Sequence, residues 1–208
     1  MIYANEQIIK DVRKVLDENT TAIELTELSD NETLDLDAII IATLTDAAQA
    51  VESAAPLHLL DYSKELTATA EVVDGRVAYV ELPHDFMRMV AVRWGQLARP
   101  IYKFISIDSP EYVVQQNEYV QGTIERHVAA IVVKKNTHIL EIYADGIVDN
   151  AEAYIGDYIP LPVFSGNNIE LCSRCYRSIV YRCAGMVCAI YKDANSEILM
   201  KISESILV

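Results

Sequence analysis

Apolar side chains recur at helical spacing near the amino terminus, alternate through the middle of the chain, and return to helical spacing at its end. Asn5-Glu6-Gln7 can cap a first helix, with Ile8, Ile9, Val12, Val15 and Leu16 forming an i, i+3/i+4 stripe. An acidic stretch from Ser29 to Asp37 precedes a second helix. Ser29 to Glu32 offer caps, and Asp35 and Asp37 sit where the helix dipole favours negative charge. This helix runs to about Ser53 and stops before Pro56, and its alanine-rich second half predicts close packing on another helix.

From Leu57 the period changes. The run from Leu66 to Val72, then Asp74-Gly75, then Arg76 to Leu82 predicts a β-hairpin, because Asp-Gly supplies the positive φ of a tight turn. Met87 to Trp94 predicts a strand, and residues 101–107 a further extended piece. Ser109-Pro110-Glu111 opens a short helix with Pro at its first position. Strands are predicted over His127 to Val133 and His138 to Tyr143, and Ile159-Pro160-Leu161-Pro162 is predicted to be an extended linker. The last quarter predicts a long helix from Ile169 to Tyr191 and a final helix from Asn195 to Leu207.

The expected architecture is α+β, a single domain over 1–208. In it, N- and C-terminal helices (1–56 and 166–208) pack as a helical bundle around a central β-rich insertion (57–165).

Composition changes this picture in two ways. The 208 residues carry a formal charge of −14, yet 51% are hydrophobic. A disordered acidic chain would be poor in Ile, Val and Leu; this one is not, which leaves either a well-packed core with Tyr at its rim or apolar area held for partners. Twelve Tyr against three Phe and one Trp fit either. With 17 Lys and Arg against 31 Asp and Glu, the chain does not suit nucleic-acid binding as its main task. No basic-then-apolar leader and no run of 18 apolar residues is present, so the sequence reads as made in a reducing cytoplasm with free thiols and no membrane segment.

Cys172-x-x-Cys175 is the most tempting chemical motif. A zinc site needs four ligands, usually from two such pairs, and Cys183 and Cys188 are spaced by five positions rather than three. On a helix, Cys172, Cys175 and Cys183 share the apolar face, while Cys188 falls with Arg177 and Tyr181; buried helix cysteines are the favoured reading. The four His (58, 84, 127, 138) are scattered, Asp30 to Asp35 lacks the glycine of a calcium loop, and no phosphate-binding glycine motif occurs. No enzyme class, metal or cofactor emerges from this check.

The run Leu82-Pro83-His84-Asp85-Phe86-Met87-Arg88, continued by Val90-Ala91-Val92-Arg93, Trp94 and Arg99-Pro100-Ile101, resembles a pattern common in tailed-bacteriophage head–tail connector proteins. In those adaptors a Leu-Pro-x-Asp-Phe-x-Arg turn leads into a strand. The resemblance is specific only over about residues 80–105; His84 departs from it, and residues 108–165 match no pattern of the family. It implies a structural virion protein at the head–tail interface, made in the bacterial cytoplasm, without catalytic residues. Such subunits form a ring, usually of twelve copies, below the portal protein. They extend the channel through which double-stranded DNA passes without specific binding, and offer a platform to further tail or ring proteins. The alternative, from another class, is a cytoplasmic thiol- or zinc-dependent regulatory binding protein using the four cysteines.

On the connector reading, candidate subunit or portal contacts are Phe86, Arg88 and Trp94, Arg174 and Arg177, and the terminal stripe Ile198, Leu199, Ile202 and Ile206. Strand alternation places Arg88 and Trp94 on one face as an interface anchor. The terminal stripe can fold back on its own helix or reach a neighbour. Without Gly or Pro between Lys192 and Asn195 to force a reversal, contact outside the subunit is expected.

Overall fold

The computed structural model describes residues 1–19, 30–117, 119–148 and 152–208. The chain forms two compact units, Met1–Tyr62 with Leu161–Val208, and Ser63–Pro160.

The first unit contains α1 (Asn5–Asn19), α2 (Asp30–Ala54), α4 (Tyr176–Ile190) and α5 (Ser196–Ser205). Leu36, Ile40, Leu44, Ala48 and Val51 of α2 recur every three or four residues and meet Ile8 and Val12 of α1 and Ile179, Cys183 and Val187 of α4 in one core. Each fully buried Ile or Leu there contributes about 1.5–3 kcal/mol. The expected cap at Ser29 lies outside the described residues.

This unit is not a plain helical bundle. Strands β1 (Ile2–Ala4), β11 (Asn168–Glu170) and β10 (Phe164–Ser165) form a three-stranded antiparallel sheet within it, in which Tyr3 pairs with Ile169. The amino group of Met1 donates to the Leu171 carbonyl at 2.8 Å, continuing the ladder.

The second unit holds β2 (Lys64–Ala68), β3 (Glu71–Val73), β4 (Val77–Glu81), β5 (Phe86–Val92), β6 (Phe104–Ile105), α3 (Pro110–Gln115), β7 (Val128–Lys134), β8 (Thr137–Tyr143) and β9 (Ala153–Pro160). They build two sheets, ordered β2-β9-β5 and β3-β4-β8-β7-β6. Leu66, Met89 and Ile155 from the first share a core with Val80, Leu140 and Ile142 from the second.

The expected bundle of terminal helices around a β-rich insertion is therefore overturned. Among the described residues, five α-helices accompany eleven strands in three sheets, and the chain is a mixed α+β protein rich in strands. Three departures explain the difference. The predicted helix start at Ile169 is strand β11, and the helix begins only at Tyr176. Three-residue strands are too short to show a period. The predicted linker at Ile159-Pro160 is the end of β9, the central strand of its sheet, whose apolar pattern is interrupted by Gly156 and Asp157. The run from Leu66 to Val72 is two strands in different sheets, β2 and β3.

Local turn chemistry was legible. Asp74 and Gly75 take φ of 53° and 67° between β3 and β4, and Lys135 and Asn136 take 50° and 67° between β7 and β8.

Candidate functional site

The residues of the Leu-Pro-His-Asp-Phe run each have a structural task. Pro83 accepts from the Phe86 amide at 2.9 Å to close a turn, while Leu82 and Phe86 enter the core. Asp85 ties three elements together: one carboxylate oxygen accepts from Lys64 of β2 at 2.6 Å, the other from Tyr158 of β9 at 3.0 Å. Burial raises the Asp85 carboxyl, but these donors outweigh it and hold it below the ordinary carboxylate range.

Alternation fails along β5. Its pairing with β9 shifts register between Phe86 and Arg88 and again between Met89 and Ala91, and each bulge changes which face the following side chains occupy. Phe86 is buried near the rings of Tyr158 and His138. Trp94 lies beyond the strand's end and is 2% exposed, a core residue with no free face. Arg88 is half-buried on the bulged strand, so the three do not form a surface anchor together.

On the helical unit, Arg174 is exposed and donates to the His58 carbonyl at 2.9 Å, and exposed Arg177 lies over the Tyr181 ring at 5.7 Å. The terminal stripe does not reach outward as expected. Lys192, at φ 58°, takes the left-handed conformation that reverses the chain, and α5 folds back on α4. Leu199 is fully buried, Ile202 and Ile206 are half-buried, and of the stripe Ile198 alone is exposed. The helices cross closely through small residues. The hydroxyls of Ser178 and Ser203 each donate to the other's backbone carbonyl at 2.8 Å, and the Ser196 hydroxyl donates to Gly185 at 3.0 Å.

All four cysteines are free and buried, Cys188 included, which corrects its expected outward position. The Cys172 amide donates to Oε1 of buried Glu52 at 2.8 Å, while the Tyr62 hydroxyl donates to Oε2 at 2.8 Å. Burial pushes Glu52 up despite these bonds. Burial, then the adjacent Cys172, pushes the Cys175 thiol up; burial raises Cys183 to about 11 and also raises Cys188. Among the described residues no group of three or more His, Cys, Asp or Glu gathers as a metal would require. With all four thiols buried and burial raising those of Cys175, Cys183 and Cys188, a thiol reagent should label the native protein at a small fraction of its rate on free cysteine, and label all four after denaturation. Rapid native labelling of Cys172 or Cys175 would show an accessible thiol pair.

The site that the sequence did not reveal lies on the outer face of the five-stranded sheet. The register places Glu141 of β8 between Tyr79 of β4 and Ala130 of β7. Glu141 is 1% exposed and accepts from Tyr112 at 2.9 Å, from Tyr143 at 2.6 Å, and from Lys134, whose ammonium also sits over the Tyr79 ring. Burial pushes its carboxyl up, but the Lys134, Tyr143 and Tyr112 donors outweigh this and hold it below the ordinary range. A depressed folded pKa contributes stability above the unfolded value, about 4.3, and that stability is lost as pH falls through the folded pKa. Glu141→Gln should therefore destabilise the protein by on the order of 1–3 kcal/mol at neutral pH and flatten the loss of stability on acidification. Urea melts of both proteins between pH 3 and 7 check this. Parallel pH profiles would show that Glu141 carries no linked proton.

This network fixes α3 in an unusual orientation. Ser109 caps the helix by accepting from the Tyr112 amide. Tyr112 reaches Glu141, Gln115 accepts from the Gly122 amide at 2.9 Å, and Gln116 donates to the Tyr143 hydroxyl at 2.8 Å. Tyr112, Gln115 and Gln116 thus bond back into the β unit, while Glu111 stays exposed. Val113, 68% exposed, and Val114 face solvent, followed by Tyr119, 90% exposed, and Val120. A helix that only stabilises its own fold has the opposite polarity.

No model of a known protein family matches the chain, and no curated protein matches it. Among the described residues, no helix is long and apolar enough to cross a membrane.

Proposed function

We propose that the chain is a structural assembly subunit, a head–tail connector of a tailed bacteriophage. On this reading it forms a ring below the portal protein, carries the DNA channel onward and joins capsid to tail, within the virion. The observation that carries the assembly reading is α3, whose Tyr112 and Gln115 are spent on hydrogen bonds within the β unit while its valines face water. An apolar surface held rigidly outward is what a binding partner requires. The connector assignment rests on the resemblance of residues 82–101, and the place of Asp85 at the junction of three elements supports it by giving that motif a defined architectural role.

Negative-stain imaging and native mass spectrometry of the purified protein, alone and with a portal protein, test the proposal. The expected result is a ring of fixed stoichiometry with an axial channel, coaxial with the portal. A chain that stays monomeric and ignores the portal at all concentrations overturns it.

A further inference from the structure

Ile107, Val113, Val114, Tyr119 and Val120 are between 46% and 90% exposed within fourteen residues of one short, anchored segment. Their exposed surface is on the order of 600 Å², at the top of what monomers present and close to the roughly 800 Å² per partner of a standard-size interface. The charges at the start of this segment, Asp108 and Glu111, are both acidic and both exposed. Just before it lies a segment of the opposite sign, in which exposed Arg99 and Lys103 flank Tyr102, 63% exposed. Among the described residues, none of these four charges takes part in an ion pair within the chain.

We propose that the outward face of α3 and the turn after it seat a second copy of this chain, with Arg99 and Lys103 of one copy meeting Asp108 and Glu111 of the next. This rests on the assembly reading above and names its contact surface. Two considerations select a second copy as the occupant. A chain of net charge −14 repels its own copies, so self-association needs a cationic patch placed against an acidic one, and residues 99–111 supply both. The exposed area of Ile107, Val113, Val114, Tyr119 and Val120 is about three-quarters of one side of a standard interface. The hydrogen bonds to Glu141, Tyr143 and Gly122 hold the helix in place beforehand, so little ordering is needed on contact. Charge at the rim fixes register and partner choice, while the valines and Tyr119 supply the buried centre.

Sedimentation equilibrium of the full chain tests this. The wild type should self-associate, and Val113→Glu should raise the dissociation constant at least 100-fold with far-UV circular dichroism and melting temperature unchanged. Two charge-reversed proteins, R99E/K103E and D108K/E111K, should each be monomeric alone and assemble together when mixed at equal concentrations. A purely structural role for these side chains would not produce that rescue. A monomeric wild type, wild-type association by Val113→Glu, or no rescue on mixing overturns the proposal. The two readings fail separately. Portal binding by a chain whose self-association ignores α3 sinks this contact and leaves the connector, whereas α3-dependent association without portal binding does the reverse.

Discussion

Replacing Gly156 by alanine should unfold the β unit. A Cβ on Gly156 would fall inside the contact radius of the Ala91 carbonyl oxygen and stand 3.0 Å from the Val92 Cα. Both are backbone atoms of β5, which pairs with β9 at this point. No rotamer change relieves the clash, so the strands must part, and with them the sheet that carries Leu66, Met89 and Ile155 into the core. Overpacking against flexible side chains typically costs about 1–3 kcal/mol. Here the loss should exceed about 4 kcal/mol, a large share of the 5–15 kcal/mol that holds a typical domain folded. The internal control is Gly95→Ala, whose Cβ meets nothing within 4 Å and should stay within about 0.5 kcal/mol of wild type. Denaturant melts with hydrogen exchange on β5 and β9 check both. Equal stability of the two variants would mean that β5 and β9 do not approach this closely.

Truncation after Asp193 should abolish the cooperative melting of the helical unit. The deleted segment includes Leu199, fully buried, and Leu207, which packs against the same core. It also includes Ser203, whose hydroxyl and carbonyl both bond to Ser178. Burial of Leu199 alone contributes about 1.5–3 kcal/mol, and the truncation leaves the Ser178 and Gly185 face of α4 open to water. Gly185 shows how close that packing is, since a Cβ there would stand 3.0 Å from the Met200 side chain and 3.3 Å from the Ser196 carbonyl. Circular dichroism melts and size-exclusion chromatography of the truncated chain should report a broad transition and aggregation. A soluble truncation with a wild-type melt would place α5 outside the core.

Local signals carried far: Asp74-Gly75 set its turn, Ser109-Pro110 started α3, and the stripe of α1 and the alanine-rich half of α2 found the core. What failed was non-local. Nothing in Tyr3 announces Ile169 as its partner, and β9 hides its role behind Gly156, which is glycine because β5 leaves no room for more. The two bulges in β5 cancelled the alternation that would have placed Arg88 and Trp94 on one face. The reversal at Lys192 uses a left-handed residue that is neither Gly nor Asn, so no breaker signal preceded it. At the candidate site the shortfall was greatest. The Glu141 network draws on Tyr112, Lys134 and Tyr143 from three elements, and a six-residue helix cannot reveal from its own sequence which side faces the sheet.

The pairing of Lys64 with Tyr158 brings the entrance and exit of the β unit side by side in neighbouring strands. This bears on the order in which a ribosome can deliver a finished product. Residues 63–160 emerge as one uninterrupted stretch holding every strand of their two sheets, and can close on themselves as soon as β9 leaves the exit tunnel. The helices made first must wait. Tyr3 has no strand partner until residue 169 is translated, and Ile8, Val12 and Ile40 have no α4 to pack against until later still. Throughout that interval the nascent amino-terminal segment carries an uncovered apolar stripe, and its twelve acidic residues among the first sixty keep neighbouring nascent chains apart by like-charge repulsion.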